Sequence, residues 1–180
     1  IEIAERHVAL TERLRAFTDD DPAIKALRQQ AAAAVERGDY DAADDLLSRA
    51  DAADAGAIAA QREALDRRLL SRAGTLSQRG DLALARLDYR AAAAHYRAAA
   101  DLAPSGHEET VAGCLHRAAA ALHRQGDERG DNDALRNSIA TWDEVLALCP
   151  RDRVPLQWAA TQNNLGNALL ALGRRENGIE

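Results

Sequence analysis

Along most of the chain apolar residues recur at helical spacing. Val111, Leu115, Ala118 and Leu122 lie four, three and four positions apart, and Trp158, Leu165 and Leu169 keep the same phase with one gap. Recurrence close to 3.6 puts such side chains on one stripe of an α-helix. Proline and glycine punctuate these stripes. Pro22 follows Asp19, Asp20 and Asp21, which predicts an Asp N-cap with proline at the first helical position. Pro104 and Pro150 close apolar segments and Pro155 opens another. Ser105-Gly106-His107-Glu108 has the form of a capping box, and Gly38, Gly126 and Gly173 each follow a helical pattern as C-capping residues do. The spacing predicts a leading helix over 2–17, then helices over 22–37, 41–53, 56–86, 88–102, 106–125, 132–148 and 155–173. No linker divides them, so 1–180 reads as a single helical-repeat domain.

Three of the predicted helices share a pattern. Tyr40, Ala43, Leu47 and Ala50 recur as Tyr89, Ala92, Tyr96 and Ala99, and again as Leu135, Ser138, Trp142 and Val145. Each places a small residue between two large ones, so that a neighbouring antiparallel helix can approach closely while the large residues fill the flanking grooves. Pro104 and Pro150 follow at the same distance in the second and third copies. The preceding helices carry a weaker companion pattern: Gln162, Leu165, Gly166 and Leu169; Leu115, Ala118, Ala119 and Leu122; Leu76, Arg79 and Gly80; and Leu27, Gln30, Ala31 and Ala34.

On these residues the chain resembles the tetratricopeptide repeat family, whose helix pairs carry a W-x2-L-G-x2-Y half and an A-x3-F…P half. Corresponding residues recur here at roughly 46 to 49 positions instead of the family's 34. Lengthened units with a segment such as Arg153-Val154-Pro155-Leu156-Gln157-Trp158-Ala159-Ala160-Thr161-Gln162-Asn163-Asn164-Leu165-Gly166 look like those of large bacterial tetratricopeptide proteins. The resemblance implies an all-α fold of antiparallel helix pairs stacked as a right-handed solenoid, with units near 22–54, 56–104 and 105–150 and an incomplete unit over 155–180.

Composition narrows the function. Hydrophobic residues make up 47% and aromatics only 3%, with alanine prominent, which suits closely packed helices and little else. The net charge of −6 and the shortage of aromatics argue against nucleic acid as a partner. No apolar run approaches a bilayer span, and the charges of the first 17 residues do not fit a secretory signal, so neither a membrane partner nor export is expected and a cytoplasmic location follows. The two cysteines, Cys114 and Cys149, are expected to be reduced. A start at Ile1 and the lack of methionine predict a segment of a longer protein.

Chemistry-bearing motifs are sparse. His107-Glu108 lacks the second histidine of a zinc-protease helix, because position 111 is Val, and Cys114, His116 and His123 do not share one face. The chain carries no phosphate loop or nucleophile elbow, and its paired acids fall at a helix start or on an exposed face. No catalytic residue, metal or cofactor is therefore expected, and the protein is not read as an enzyme.

The expected function is a protein–protein interaction scaffold that holds a peptide or protein in a concave groove. In a stacked helix-pair array the first helices line the inner curve. That points to Asn163, Asn164 and Asn167 in the last unit, His116 and Arg117 in the third, Gln78 and Asp81 in the second, and Arg28 in the first. Asparagine is a poor interior helix residue, but its amide both donates to and accepts from a peptide backbone. Kinesin light chain repeats are similar at Asn-Asn-Leu, which implies that Asn164 and Asn167 contact peptide. Both amides are expected to be exposed, with Leu165 and Leu169 in the core. The alternative is a structural or oligomerisation module that holds an effector domain and binds no peptide, forming a homodimer through its terminal helices.

Overall fold

The computed structural model describes residues 2–16, 21–176 and 178, and all of its regular structure is helical. The helices are α1 (Glu2–Arg15), α2 (Pro22–Glu36), α3 (Tyr40–Ala85), α4 (Tyr89–Leu102), α5 (Glu108–Arg129), α6 (Asn132–Leu148) and α7 (Pro155–Glu176). No helix among the described residues is long and apolar enough to cross a membrane. The residues group into two compact units, Ile1–Ala64 and Leu65–Glu180, with the boundary inside α3.

In the first unit α2 starts as its sequence predicts: Pro22 occupies the first turn and the Asp21 carboxylate accepts the Ala23 N–H at 2.8 Å. Ala31, Ala34, Val35 and Ala43 form a small buried core, edged by Leu14, Leu46 and Leu47.

One turn is used three times. Residues 38, 87 and 130 take positive φ, at 77° for Gly38, 59° for Leu87 and 73° for Gly130. The residue after each is an aspartate whose N–H bonds back to the ending helix: Asp39 to Ala34 at 3.0 Å, Asp88 to Ala83 at 3.0 Å and Asp131 to Gly126 at 3.2 Å. Each aspartate then caps the next helix, accepting from Ala42, Ala91 and Ala134 at 3.1 Å. A left-handed residue stops one helix and the capping carboxylate starts another, which folds the chain back on itself within three residues.

In the second unit consecutive helices pack side by side. Ser138 Oγ donates to the Ala119 carbonyl at 2.8 Å, while a Cβ on Gly126 would lie 2.3 Å from Leu135 Cγ. The partner number falls as the α5 number rises, so α5 and α6 run antiparallel. Gly80 similarly accommodates the Tyr96 ring, where a Cβ would come within 2.5 Å. The second and third copies of the large-small-large pattern are buried throughout, from Tyr89 to Ala99 and from Leu135 to Val145. Tyr40, their counterpart in the first copy, is 54% exposed.

The structure differs from the sequence reading at several points. The break expected between 53 and 56 is missing, and α3 runs continuously through Gly56. A single helical glycine costs only about 1 kcal/mol relative to alanine, too little to end a helix flanked by Ala52, Ala53, Ala55 and Ala57. The Ser105–Glu108 capping box does not form. Gly106 has φ +87° in a turn closed by the His107 N–H on the Pro104 carbonyl at 3.2 Å, so the helix opens at Glu108 without a side-chain cap. Gly126 lies inside α5, which ends instead at Gly130, and α7 runs past Gly173. The expected end of the leading helix at Phe17 lies outside the described residues.

Candidate functional site

The C-terminal stretch of α3, α5 and α7 contribute most of the polar residues singled out by sequence, and two clefts lie between them. The first, of about 190 Å³, is lined by Asp81, Leu84, Tyr96, His116, Arg117, Ala120, Ala121 and Arg124. The buried Tyr96 needs a partner for its hydroxyl. It donates to Asp81 at 2.7 Å, and Arg117 reaches the same carboxylate at 3.3 Å while its guanidinium lies 5.8 Å above the tyrosine ring. Burial, and then the bond to Asp81, push the Tyr96 phenol up to about 12. Two turns further along α5 the design is repeated. The Tyr89 hydroxyl donates to Glu128, Arg124 bonds that carboxylate at 2.9 Å, and the guanidinium covers the Tyr89 ring at 4.6 Å. The Glu128 bond, then burial, raise the Tyr89 phenol above its ordinary value.

His116 joins this cleft to α7. Its half-buried ring stands edge-on to Trp142, with centroids 4.7 Å apart and planes at 81°. Burial, and then the adjacent Arg117 charge, hold the imidazole below its usual pKa. The Asn164 amide nitrogen lies 3.4 Å from His116 Nε2, so a neutral ring with its proton on Nδ1 accepts from Asn164.

The second cleft, of about 790 Å³, lies between α5 and α7 and is lined by His123, Asp127, Asn132, Asn167, Arg174 and Arg175 among others. Arg175 Nη1 donates to the Gly126 carbonyl at 3.0 Å near the end of α5. A third depression, of about 540 Å³, lies between α4 and α6 over Ala93, Ala94, Ala134 and Ala140. Its charges are spent on one another: Arg97 is bidentate on Glu144 at 2.5 and 3.0 Å, and Arg90 meets Asp131 at 2.5 Å.

Of the residues expected at a groove, Asp81, Arg117 and His116 meet at the first cleft, Asn164 is bonded to His116, and Asn167 borders the second. Gln78 and Asn163 are exposed. Arg28 belongs to the first unit, where it meets Asp54 at 3.3 Å. Two expectations are corrected. Asn164 is half-buried, not exposed, and Leu169 is 52% exposed, not part of the core. Sequence reasoning missed Tyr96, Arg124, His123, Arg174 and Arg175. The size pattern marks Tyr96 as packing alone, although a core tyrosine always poses the question of its hydroxyl, and Arg124 is two turns from Arg117 on the same face.

Cys114 and Cys149 are buried and unpaired with each other, and burial pushes the Cys149 thiol up. Among the described residues no group of three or more His, Cys, Asp or Glu is placed to hold a metal ion. Comparison with protein-family models, curated proteins and solved structures found no match to this chain.

Proposed function

We propose that the chain is a tetratricopeptide-like repeat scaffold that binds an extended segment of a protein partner along the face made by α3, α5 and α7 of the second unit. The observation that carries this reading is the pair of clefts between successive first helices, bordered by solvated amide and guanidinium groups instead of a continuous apolar surface. The thrice-used turn supports a repeated helix-pair architecture. The reading is of a binding module and not an enzyme, because the Tyr–carboxylate–Arg clusters tie their charges to one another. Asn163 and Asn167 are the amides free to meet a peptide backbone, while Asn164 serves chiefly to hold His116.

The test is a pull-down from the source lysate with wild type and the Asn163→Ala/Asn167→Ala double variant, alongside thermal melts. Exposed substitutions of this kind change stability by about 0.5 kcal/mol or less. Partner binding is expected to weaken by roughly 1–3 kcal/mol for each side chain that pairs a buried backbone group in the complex. Equal recovery at equal stability would remove the amides from any binding site.

A second reading, as an assembly module, draws on the outer side of α7. Leu156, Leu169 and Leu170 are 87%, 52% and 53% exposed, and a Cβ on Gly166 would meet nothing within 4 Å. The counterparts of Gly166 and Leu169 in α5, Ala119 and Leu122, are fully buried and half-buried. Concentration-dependent association in light scattering, abolished by Leu169→Glu, would favour this reading over peptide binding.

A further inference from the structure

We propose that the cleft between α5 and α7 is a binding site for a phosphate monoester group. Two buried polar atoms in its walls, His123 Nδ1 and Asn132 Oδ1, have no hydrogen-bond partner among the described residues. Such atoms are rare in folded proteins and call for a specific explanation. Both end planar groups that turn about a rotatable bond, and both residues line the cleft.

The same cleft holds two cations. Arg174 is exposed and enters no ion pair among the described residues, and Arg175 is held by its bond to the Gly126 carbonyl, its Nη2 lying 2.7 Å from where a Gly130 Cβ would be. Asn167 adds an exposed amide, and Asp127 is the one carboxylate on the lining among the described residues. Locally two guanidinium groups outweigh one carboxylate, although the chain as a whole carries −6.

This set of groups selects among anions. Arg174, Arg175 and an imidazole N–H of His123 offer donors, while Asn132 offers a buried carbonyl oxygen that lacks a partner among the described residues and Asn167 an exposed amide. A carboxylate brings acceptors alone. A phosphate monoester, with a second pKa of about 6, brings several acceptor oxygens and, when singly protonated, an O–H that donates to an amide carbonyl. The cleft volume of about 790 Å³ also leaves room for what the phosphate is attached to. That attachment is either a phosphorylated side chain of a partner or a small phosphorylated molecule. The shared chemistry is the monoester.

Isothermal titration of the whole chain at fixed ionic strength decides it, with inorganic phosphate, glycerol phosphate, N-acetyl-phosphoserine amide, its unphosphorylated form and acetate as probes. The phosphorylated probes are expected to bind and acetate and the serine amide not to. Arg174→Gln, at an exposed position, is expected to weaken binding about tenfold or more, His123→Ala likewise, and Arg151→Gln to leave it unchanged. Tighter binding of the phosphoserine amide than of glycerol phosphate assigns the group to a peptide, and the reverse to a free molecule. Heat signals no different from acetate, or phosphate binding untouched by both variants, would overturn the proposal. It needs no partner protein, so it stands or falls separately from the pull-down.

Discussion

The same substitution, glycine to alanine in a helix, is expected to have opposite signs at two sites in the second unit. In both cases the helix itself favours alanine by about 1 kcal/mol, because glycine gives up more backbone freedom on folding. At Gly74 nothing lies within 4 Å of the new methyl, so that gain is kept. At Gly126 the methyl would fall 2.3 Å from Leu135 Cγ, 2.6 Å from Leu135 Cδ2 and 3.0 Å from the Asp131 carbonyl oxygen. Leu135 is fully buried and Asp131 is fixed by the cap it gives Ala134, so neither yields cheaply. Overpacking of this kind costs about 1–3 kcal/mol beyond any gain in propensity. Trp142 and Trp158 both belong to the second unit, so tryptophan fluorescence during urea unfolding follows that unit alone. Gly74→Ala should raise the urea midpoint and Gly126→Ala lower it, each with an unchanged slope. A stabilised Gly126→Ala variant would mean that α5 and α6 do not meet at Leu135, and the antiparallel register would have to be abandoned.

Two further outcomes follow from the turns and from His116. Gly130→Ala places an L side chain at φ +73° and drives its methyl into the Arg175 guanidinium, so a loss of about 1–2 kcal/mol is expected in thermal melts; unchanged stability would deny the left-handed stop. Because the folded His116 ring has a lowered pKa, its contribution to stability is present above the unfolded value of about 6.5 and is lost as pH falls through that value toward the folded one. Glu128 and Glu144, whose carboxyls are held low by bonds to Tyr89 and Arg97, lose theirs only at more acid pH. Urea midpoints should therefore drop between pH 7 and 5 in wild type and drop less in His116→Gln; parallel slopes would remove His116 from the linkage.

Packing positions were legible in the sequence where size alone decides them. Tyr89, Ala92, Tyr96 and Ala99, and their counterparts from Leu135 to Val145, are buried because the small residue admits the neighbouring helix and the large ones flank it. Junctions were harder. Arg37-Gly38-Asp39, Arg86-Leu87-Asp88 and Arg129-Gly130-Asp131 are one turn in three copies, yet Leu87 stands where the others have glycine and hides the repeat. The length of α3 is hard to read for the opposite reason: it runs on through Gly56, which no neighbour requires to leave the helix.

Helical periodicity assigns a residue to a face, but the width of the buried seam decides whether it meets solvent or protein. On α7 the fully buried positions are Thr161 and Ala168, and Asn164 lies between them, three residues after one and four before the other. Its amide consequently turns to His116, despite the expectation that it would share an exposed face with Asn167. Leu165 packs half-buried against the core as expected, whereas Leu169 does not. In α5 the equivalents of Gly166 and Leu169, Ala119 and Leu122, are buried and half-buried, but a Cβ on Gly166 would meet nothing within 4 Å and Leu169 is 52% exposed. The inward seam of α7 is thus set by α5 and α6 alone and passes through Asn164. Asn163 and Asn167 each precede a seam residue and are exposed, which is why they are the amides to test for partner contact and Asn164 is the one whose loss would be felt first in the scaffold.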